Sequence, residues 1–130
     1  MAINPTAEGI HHICLRSTNF DETKKFYQDI LGFPLAIDTP DLIIFQAAGM
    51  FLAFKKANPR DEKYTNFSPF EVGLDHIAIA CASEDELNRV ANELTDAGIE
   101  NTGVKNDPAL NKLYVAFKDP DKIQWEFYMK

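Results

Sequence analysis

The sequence contains the same order of segments twice, and this internal repeat constrains the fold more than any other feature. His12-Ile13 and His76-Ile77 lie 64 residues apart. Each pair belongs to a stretch of alternating apolar residues that predicts a strand, and a capped helix and three short apolar runs follow it. The repeat therefore predicts two copies of one strand–helix–three-strand unit, a βαβββ module.

Capping residues and glycines set the boundaries within each module. Asn19 predicts the start of the first helix and Gly32 its end, and Ser83 and Gly98 have these roles in the second module. The predicted strands cover residues 9–16, 34–38, 42–47, 50–55, 74–81, 99–104, 113–117 and 123–129. One domain over 1–130 thus contains modules at about 9–55 and 73–129. The linker at 56–72 is long enough to be a lid or a dimer arm.

Composition disfavours several classes of partner. The 130 residues are 45% hydrophobic and 25% charged, which is typical of one folded domain. The formal net charge is −7 and no dense cluster of Lys and Arg occurs, which argues against nucleic acid. No apolar run is long enough to cross a bilayer, and the first residues show no signal-peptide pattern. The two cysteines form no CxxC pair, so we expect reduced thiols and a cytoplasmic location.

Alternation along the predicted strands collects polar side chains on one face. Ile13 is expected to face the helix, and His11 with it. The face turned away from the helices collects His12, Cys14, Arg16, His76, Gln124, Glu126 and Tyr128. Each of these alone has a structural explanation, as a hydrogen-bonded or solvated side chain. Two histidines and a carboxylate on an inner sheet face need neutralisation, however, and a divalent Fe, Mn, Ni, Co or Zn ion would provide it.

Several segments together resemble the vicinal oxygen chelate superfamily, which includes glyoxalase I, extradiol dioxygenases and the fosfomycin- and bleomycin-resistance proteins. The segments are Gly9-Ile10-His11-His12-Ile13, Phe26-Tyr27-Gln28-Asp29-Ile30-Leu31-Gly32-Phe33, Asp75-His76-Ile77-Ala78, and Asp119-Pro120-Asp121 followed by Trp125-Glu126-Phe127. The resemblance implies an α+β fold. In it, two paired βαβββ modules would form a curved mixed sheet around a metal-binding cavity.

The resemblance also implies a metal site with His12, His76 and Glu126 as its ligands, Glu126 being a catalytic group as well. The fourth ligand of glyoxalase I falls at Ala53, which cannot bind a metal. A set of three ligands resembles the extradiol dioxygenases and the fosfomycin-modifying transferases, and argues against glyoxalase I itself. A second departure is Lys122, where the family usually has Gly after Asp-Pro-Asp. We expect local strain in that turn.

The function implied by the resemblance is that of a metal-dependent lyase, dioxygenase or transferase. Its small-molecule substrate would be chelated through vicinal oxygens, with the metal as Lewis acid. Cys14 is a candidate catalytic thiol near the metal, and Glu71 is a candidate base. The candidate substrate-binding side chains are Arg16, Phe51, Lys55, Gln124 and Tyr128.

Three alternatives remain open at this point. They are a non-catalytic antibiotic-binding protein of the bleomycin-resistance type, a fosfomycin-modifying thiol transferase, and a regulatory or dimerisation module. Linker residues Arg60, Lys63 and Tyr64 are candidates for covering an anionic ligand. The expected partners are the small-molecule substrate and a second copy in a homodimer, with no membrane and no nucleic acid.

Overall fold

Each predicted module forms its own four-stranded sheet in the computed structural model, which describes residues 1–58 and 66–130. The strands of the first sheet are β1 (His12–Ser17), β2 (Leu35–Asp38), β3 (Leu42–Ala47) and β4 (Met50–Lys56). The strands of the second sheet are β5 (Ile77–Cys81), β6 (Lys105–Asp107), β7 (Lys112–Lys118) and β8 (Gln124–Met129). The spatial orders are β1-β4-β3-β2 and β5-β8-β7-β6, so the two sheets have the same topology.

Both sheets are mixed in the same way. β1 is parallel to β4 and β5 is parallel to β8, whereas the remaining neighbours in each sheet are antiparallel. This topology confirms the predicted α+β class with paired βαβββ modules. The first strand of each module is shorter than predicted, because β1 begins at His12 and β5 at Ile77. His76 therefore lies directly before its strand.

The two helices begin where the capping residues predict. Helix α1 (Phe20–Lys24) continues as a π-helical segment over Lys25–Ile30, and the Asn19 side chain accepts hydrogen bonds from two backbone N–H groups of its first turn. Helix α2 (Glu84–Asp96) has Ser83 as its N-cap. These side chains satisfy N–H groups that have no partner within the helix.

One strand prediction is wrong. Residues 99–104 do not form a strand, and the short strand β6 follows them. Their only ladder contact in the described residues is an isolated bridge between Asn101 and Phe117. The Asn101 side chain accepts from Gly103 N and donates to the Ile99 carbonyl. These local bonds replace ladder bonds, as is common for asparagine.

The helices and the helix-facing sides of both sheets share one hydrophobic core. Trp125 and Tyr27 are its largest fully buried side chains, and they join the two modules. The Tyr27 hydroxyl donates to Asp119 Oδ2 over 2.6 Å and accepts from Trp125 Nε1 over 2.9 Å. Burial raises the pKa of Asp119 to about 6, against the opposing effect of its hydrogen bonds to Tyr27 and to the Ile123 and Asp121 N–H groups.

The turn before β8 contains the strain expected at Lys122. Asp119 opens this turn, and its backbone carbonyl accepts from Lys122 N over 2.9 Å. Lys122 has φ +68°, the left-handed region that a side chain with a Cβ disfavours. This left-handed conformation is uncommon for residues other than glycine, asparagine and aspartate.

The predicted linker at 56–72 is described only in part. Residues 59–65 are outside the described ranges, and so is the predicted ligand-covering role of Arg60, Lys63 and Tyr64. Further along, Phe70 and Val72 are exposed. Neither helix of the described chain has the length and hydropathy that crossing a bilayer requires.

Candidate functional site

His76 and Glu126 lie together on the open face of the second sheet, by which we mean the face turned away from the core. Glu126 is in β8 and His76 directly precedes β5. Their side chains are 3.3 Å apart, from His76 Nε2 to Glu126 Oε2. An imidazole nitrogen and a carboxylate oxygen that converge in this way are donors of the kind that bind divalent transition metals.

Asp75 holds the other side of the His76 ring. Its Oδ1 is 2.7 Å from His76 Nδ1. A carboxylate on Nδ1 fixes the tautomer that leaves Nε2 as a free electron pair, which is the arrangement found behind many metal-binding histidines. Sequence reasoning misses this role for Asp75, and the available signal is an acid directly before the candidate ligand.

Small residues flank Glu126 on both neighbouring strands. Its register partners are Ala78 in β5 and Ala116 in β7. Because neither side chain extends beyond Cβ, the space above the Glu126 carboxylate stays open. In the next row Tyr114 and Tyr128 stack, with ring centroids 6.1 Å apart and an interplanar angle of 18°. The open face thus has a clear centre with an aromatic wall on one side.

The charges around this centre favour a cation. Burial raises the pKa of Glu126, His76 opposes this shift, and Asp107 and Asp75 add to it. The Tyr128 hydroxyl donates to Asp107 Oδ2 over 2.8 Å. Desolvation and this bond raise the pKa of Tyr128 to about 12, so Tyr128 is a neutral donor at physiological pH. A bound cation would stabilise the ionised form of Glu126 and offset the cost of its burial.

Five further predicted site residues lie on the open face of the first sheet. They are His12, Cys14 and Arg16 in β1, and Phe51 and Lys55 in β4. The prediction for His11 is wrong, because its side chain is exposed and its ring centroid is 5.5 Å from that of Phe51. β1 begins only at His12, so strand alternation does not govern His11. The Nδ1 atoms of the two histidines are 2.9 Å apart.

Cross-strand register relates the two open faces position by position. Cys14, two residues after His12, pairs with Ala53. In the second sheet Ala78, two residues after His76, pairs with Glu126. Ala53 therefore has in the first sheet the place that Glu126 has in the second. Only one of the two related positions provides a carboxylate.

Cys14 and Arg16 line a separate cleft of about 340 Å³, together with Glu71. The Cys14 thiol is exposed, and the Arg16 guanidinium donates to the Lys56 carbonyl over 3.0 Å. A thiol, a cation and a carboxylate are thus within one depression. This cleft does not include His76 or Glu126.

The described part of the chain brings together two of the three predicted ligands. Within residues 1–58 and 66–130, no three His, Cys, Asp or Glu side chains are grouped closely enough to hold a metal ion. His76 and Glu126 share the second sheet, and His12 is at the matching place of the first. A complete set of three donors therefore requires either a different position of His12 or the His12 of a second copy.

A cleft of about 630 Å³ lies beside His76 and Glu126. Gln124, a predicted substrate-binding residue, lines it, as do Lys118 and Lys122. Neither lysine is among the predicted site residues. The only sequence signal for Lys122 is its replacement of the family's usual glycine, and Lys118 has none.

Comparisons with known proteins agree with this fold. The family model for the Glyoxalase/Bleomycin resistance protein/Dioxygenase superfamily matches residues 9–127. The chain is 29% identical to the uncharacterized protein YwkD of Bacillus subtilis, covering 93% of this chain and 96% of YwkD. It is 23% identical to the metallothiol transferase FosB of Lysinibacillus sphaericus, covering 95% and 83%. A glyoxylase/bleomycin resistance protein/dioxygenase domain from Frankia has the same fold, with TM-score 0.78, 21% identity, and 95% and 98% coverage.

Proposed function

The chain belongs to the Glyoxalase/Bleomycin resistance protein/Dioxygenase superfamily. From this premise we propose that it is a metal-dependent enzyme whose small-molecule substrate binds the metal through two vicinal oxygens. The observation that carries the proposal is the 3.3 Å approach of His76 Nε2 to Glu126 Oε2 on an open sheet face. This superfamily includes dioxygenases by its own description, and the relative FosB is a metallothiol transferase. The absence of a carboxylate at Ala53 argues against glyoxalase I itself.

We assign the metal to His76 and Glu126 of one copy and His12 of a second copy. The donor set of two imidazoles and one carboxylate fits Fe, Mn, Ni, Co or Zn and leaves open coordination positions. The open face of the first sheet has one of these ligands and the open face of the second sheet has two. This favours a two-fold dimer in which the first sheet of each copy faces the second sheet of the other.

Charge supports this pairing of faces. The first open face has the cations Arg16 and Lys55, and none of its residues in β1, β3 and β4 is a carboxylate. The second open face has Asp75, Asp107 and Glu126 around its centre. Opposite charges on facing surfaces favour this orientation over its alternatives.

The bound metal would supply Lewis acidity to two vicinal oxygens of the substrate. The chain's own residues would orient the site and its substrate. Asp75 fixes the His76 ring, and the alanines beside Glu126 leave room for the substrate. Gln124 is positioned to donate a hydrogen bond, whereas the Tyr128 hydroxyl is already bonded to Asp107 and serves as wall. Phe51, Arg16 and Lys55 would close the cavity from the second copy.

A thiol transferase is the second candidate, and Cys14 is the reason for it. Its thiol is exposed and shares a cleft with Arg16. In the proposed dimer this thiol would lie two residues from the His12 ligand, on the same face. A Cys14→Ser variant separates the candidates, since loss of turnover with retained metal would favour thiol chemistry.

Metal content tests the main proposal. Protein is loaded with each of Fe, Mn, Co, Ni and Zn, dialysed, and analysed for metal per chain. We expect near-stoichiometric binding of at least one metal, and loss of it in His76→Ala, Glu126→Ala and His12→Ala. His11→Ala is the matched control and should bind as the wild type does. Unchanged metal content in His76→Ala would contradict the proposal.

A further inference from the structure

Lys122 combines a strained backbone with a place in the cleft beside His76 and Glu126. Its φ of +68° is one that glycine adopts without cost. Residues held in such conformations concentrate at functional sites, and the surrounding structure maintains them there. Lys122 lines the cleft of about 630 Å³. The strain and the place in the cleft together make Lys122 a candidate for a role there.

Lys118 lines the same cleft from the neighbouring strand. It lies on the open face at the end of β7 and pairs in register with Gln124 of β8. Across the described residues, the side chains of Lys118, Lys122 and Gln124 have no hydrogen bond or ion pair. Three donors without partners thus converge on one cleft.

Several other polar side chains of this cleft already have hydrogen-bond partners. Asn101 and Thr102 use their polar atoms in bonds to neighbouring backbone and side chains. Asp119 is buried and accepts bonds from Tyr27 and two backbone N–H groups. Glu100 is an exposed carboxylate that also lines the cleft. Apart from Glu100, His76 and Glu126, the uncommitted groups of the cleft are cationic or neutral donors, and both lysines are exposed.

We propose that Lys122 and Lys118 form an anion subsite beside His76 and Glu126, and that the substrate is a small organic anion with vicinal oxygens. This inference rests on the proposed function for the position of those oxygens. Lys118 is one open-face row away from Ala116, the register partner of Glu126. Two residues along a strand span roughly 7 Å. That separation fits a carboxylate or phosphonate on a compact substrate whose oxygens lie at Glu126.

Three probes that share one chelating group test the charge preference. They are 3,4-dihydroxybenzoate, catechol and 3,4-dihydroxybenzylamine, titrated calorimetrically into Mn²⁺-loaded protein. We expect 3,4-dihydroxybenzoate to bind most tightly, catechol less tightly, and 3,4-dihydroxybenzylamine most weakly. Lys118→Gln with Lys122→Gln should lower the affinity ratio of anion to catechol by about 3- to 10-fold, the range of exposed charge-assisted bonds. Lys25→Gln, outside the cleft, is the control. An unchanged ratio, or a preference for the amine, would overturn the inference.

Thermal stability separates a binding role from a merely structural one. Lys122→Gly relieves the left-handed strain, so we expect Tm to rise by about 3–5 °C while the anion preference falls. Ala48→Gly is matched to it, because Ala48 has φ +49° in a turn remote from this cleft. It should raise Tm and leave the preference intact. A rise in Tm for Lys122→Gly with an unchanged preference would contradict the anion subsite.

Phosphate binding to metal-free protein distinguishes failure of this inference from failure of the proposed function. Titration of inorganic phosphate is followed by amide chemical shifts. We expect shifts at Lys118, Lys122 and Gln124 that disappear in the double lysine variant. If the protein binds no metal but these shifts occur, the subsite stands and the metal proposal fails. If metal binds and phosphate causes no shift there, the subsite is wrong and the metal proposal stands.

Discussion

The two sheets have the same topology but opposite chemistry on their open faces. The first has His12, Cys14 and Arg16 with Ala53 at its centre, and the second has His76 and Glu126 flanked by alanines. The helix-facing sides are alike, since both contribute to one apolar core. A repeat thus keeps its packing residues while its outward residues diverge. The face with the carboxylate is the one on which we propose the metal is assembled.

The largest effect that separates the faces should come from Glu126 and Ala53. Glu126→Ala removes a proposed ligand, and we expect metal affinity to fall about a hundredfold or more. Ala53→Glu places a carboxylate at the matching position of the other face, and in a Glu126→Ala background it should restore part of that affinity. Competition with a chromophoric chelator measures both. Glu100→Ala is the control. A similar loss of metal affinity in Glu100→Ala would contradict the assignment of Glu126 as a ligand.

A second prediction concerns the buried contact that joins the modules. Tyr27→Phe leaves Asp119 Oδ2 and the Trp125 N–H without their partner, and we expect a loss of about 2 kcal/mol in the free energy of unfolding. Tyr114→Phe, on the open face, should change this free energy by less than about 0.5 kcal/mol. Urea denaturation measures both variants. Equal effects would mean that the hydrogen bonds of the Tyr27 hydroxyl do not contribute to the free energy of unfolding.

The pH dependence of stability follows from the raised pKa of Asp119, about 6. The folded chain holds the proton of Asp119 more tightly than the unfolded chain does, so the protonated carboxyl contributes to the free energy of unfolding at low pH. This contribution is lost as pH rises from about 4 to 6, by about 3 kcal/mol. Asp119→Asn should remove this part of the slope. Glu126→Gln is the comparison, because burial raises the pKa of Glu126 in the same direction. A slope that persists in Asp119→Asn would refute this origin.

The smallest effect expected concerns Asp75. Asp75→Ala removes the carboxylate behind His76, and metal affinity should fall about tenfold. Nitrogen NMR of the metal-free protein should also show that the His76 tautomer is no longer fixed. Asp29→Ala, on the π-helical segment, is a control without contact to the site. A fixed tautomer in Asp75→Ala would show that Glu126 alone orients the ring.

Much of the fold could be predicted because local signals agreed with the repeat. Asn19 and Ser83 mark helix starts, a short apolar run marks β3, and alternating apolar residues mark β8. The failure at residues 99–104 has a local cause. The β-branched residues Ile99, Thr102 and Val104 favour a strand there, but Asn101 satisfies neighbouring backbone groups with its side chain. Such bonds are invisible in a hydrophobicity pattern.

The site could be predicted only in part. Strand alternation selected His12 and Glu126 correctly as open-face residues, and the repeat selected His76. Which faces meet depends on packing between distant segments or copies, which no local pattern encodes. Lys118 escaped for the same reason, since its proposed role depends on what lies across the sheet. Asp75 does have a local signal, because it is an acid directly before His76.

The proposed metal site shared between copies is tested most directly by mixing two inactive variants. His12→Ala and His76→Ala are co-expressed with different tags, and the mixed dimer is purified and analysed for metal. Each mixed dimer has one site with His12 and His76 both intact, so we expect about half of the wild-type metal content although each variant alone binds almost none. A mixed dimer as empty as its parents would contradict the shared site, and so would His12→Ala protein that keeps its metal.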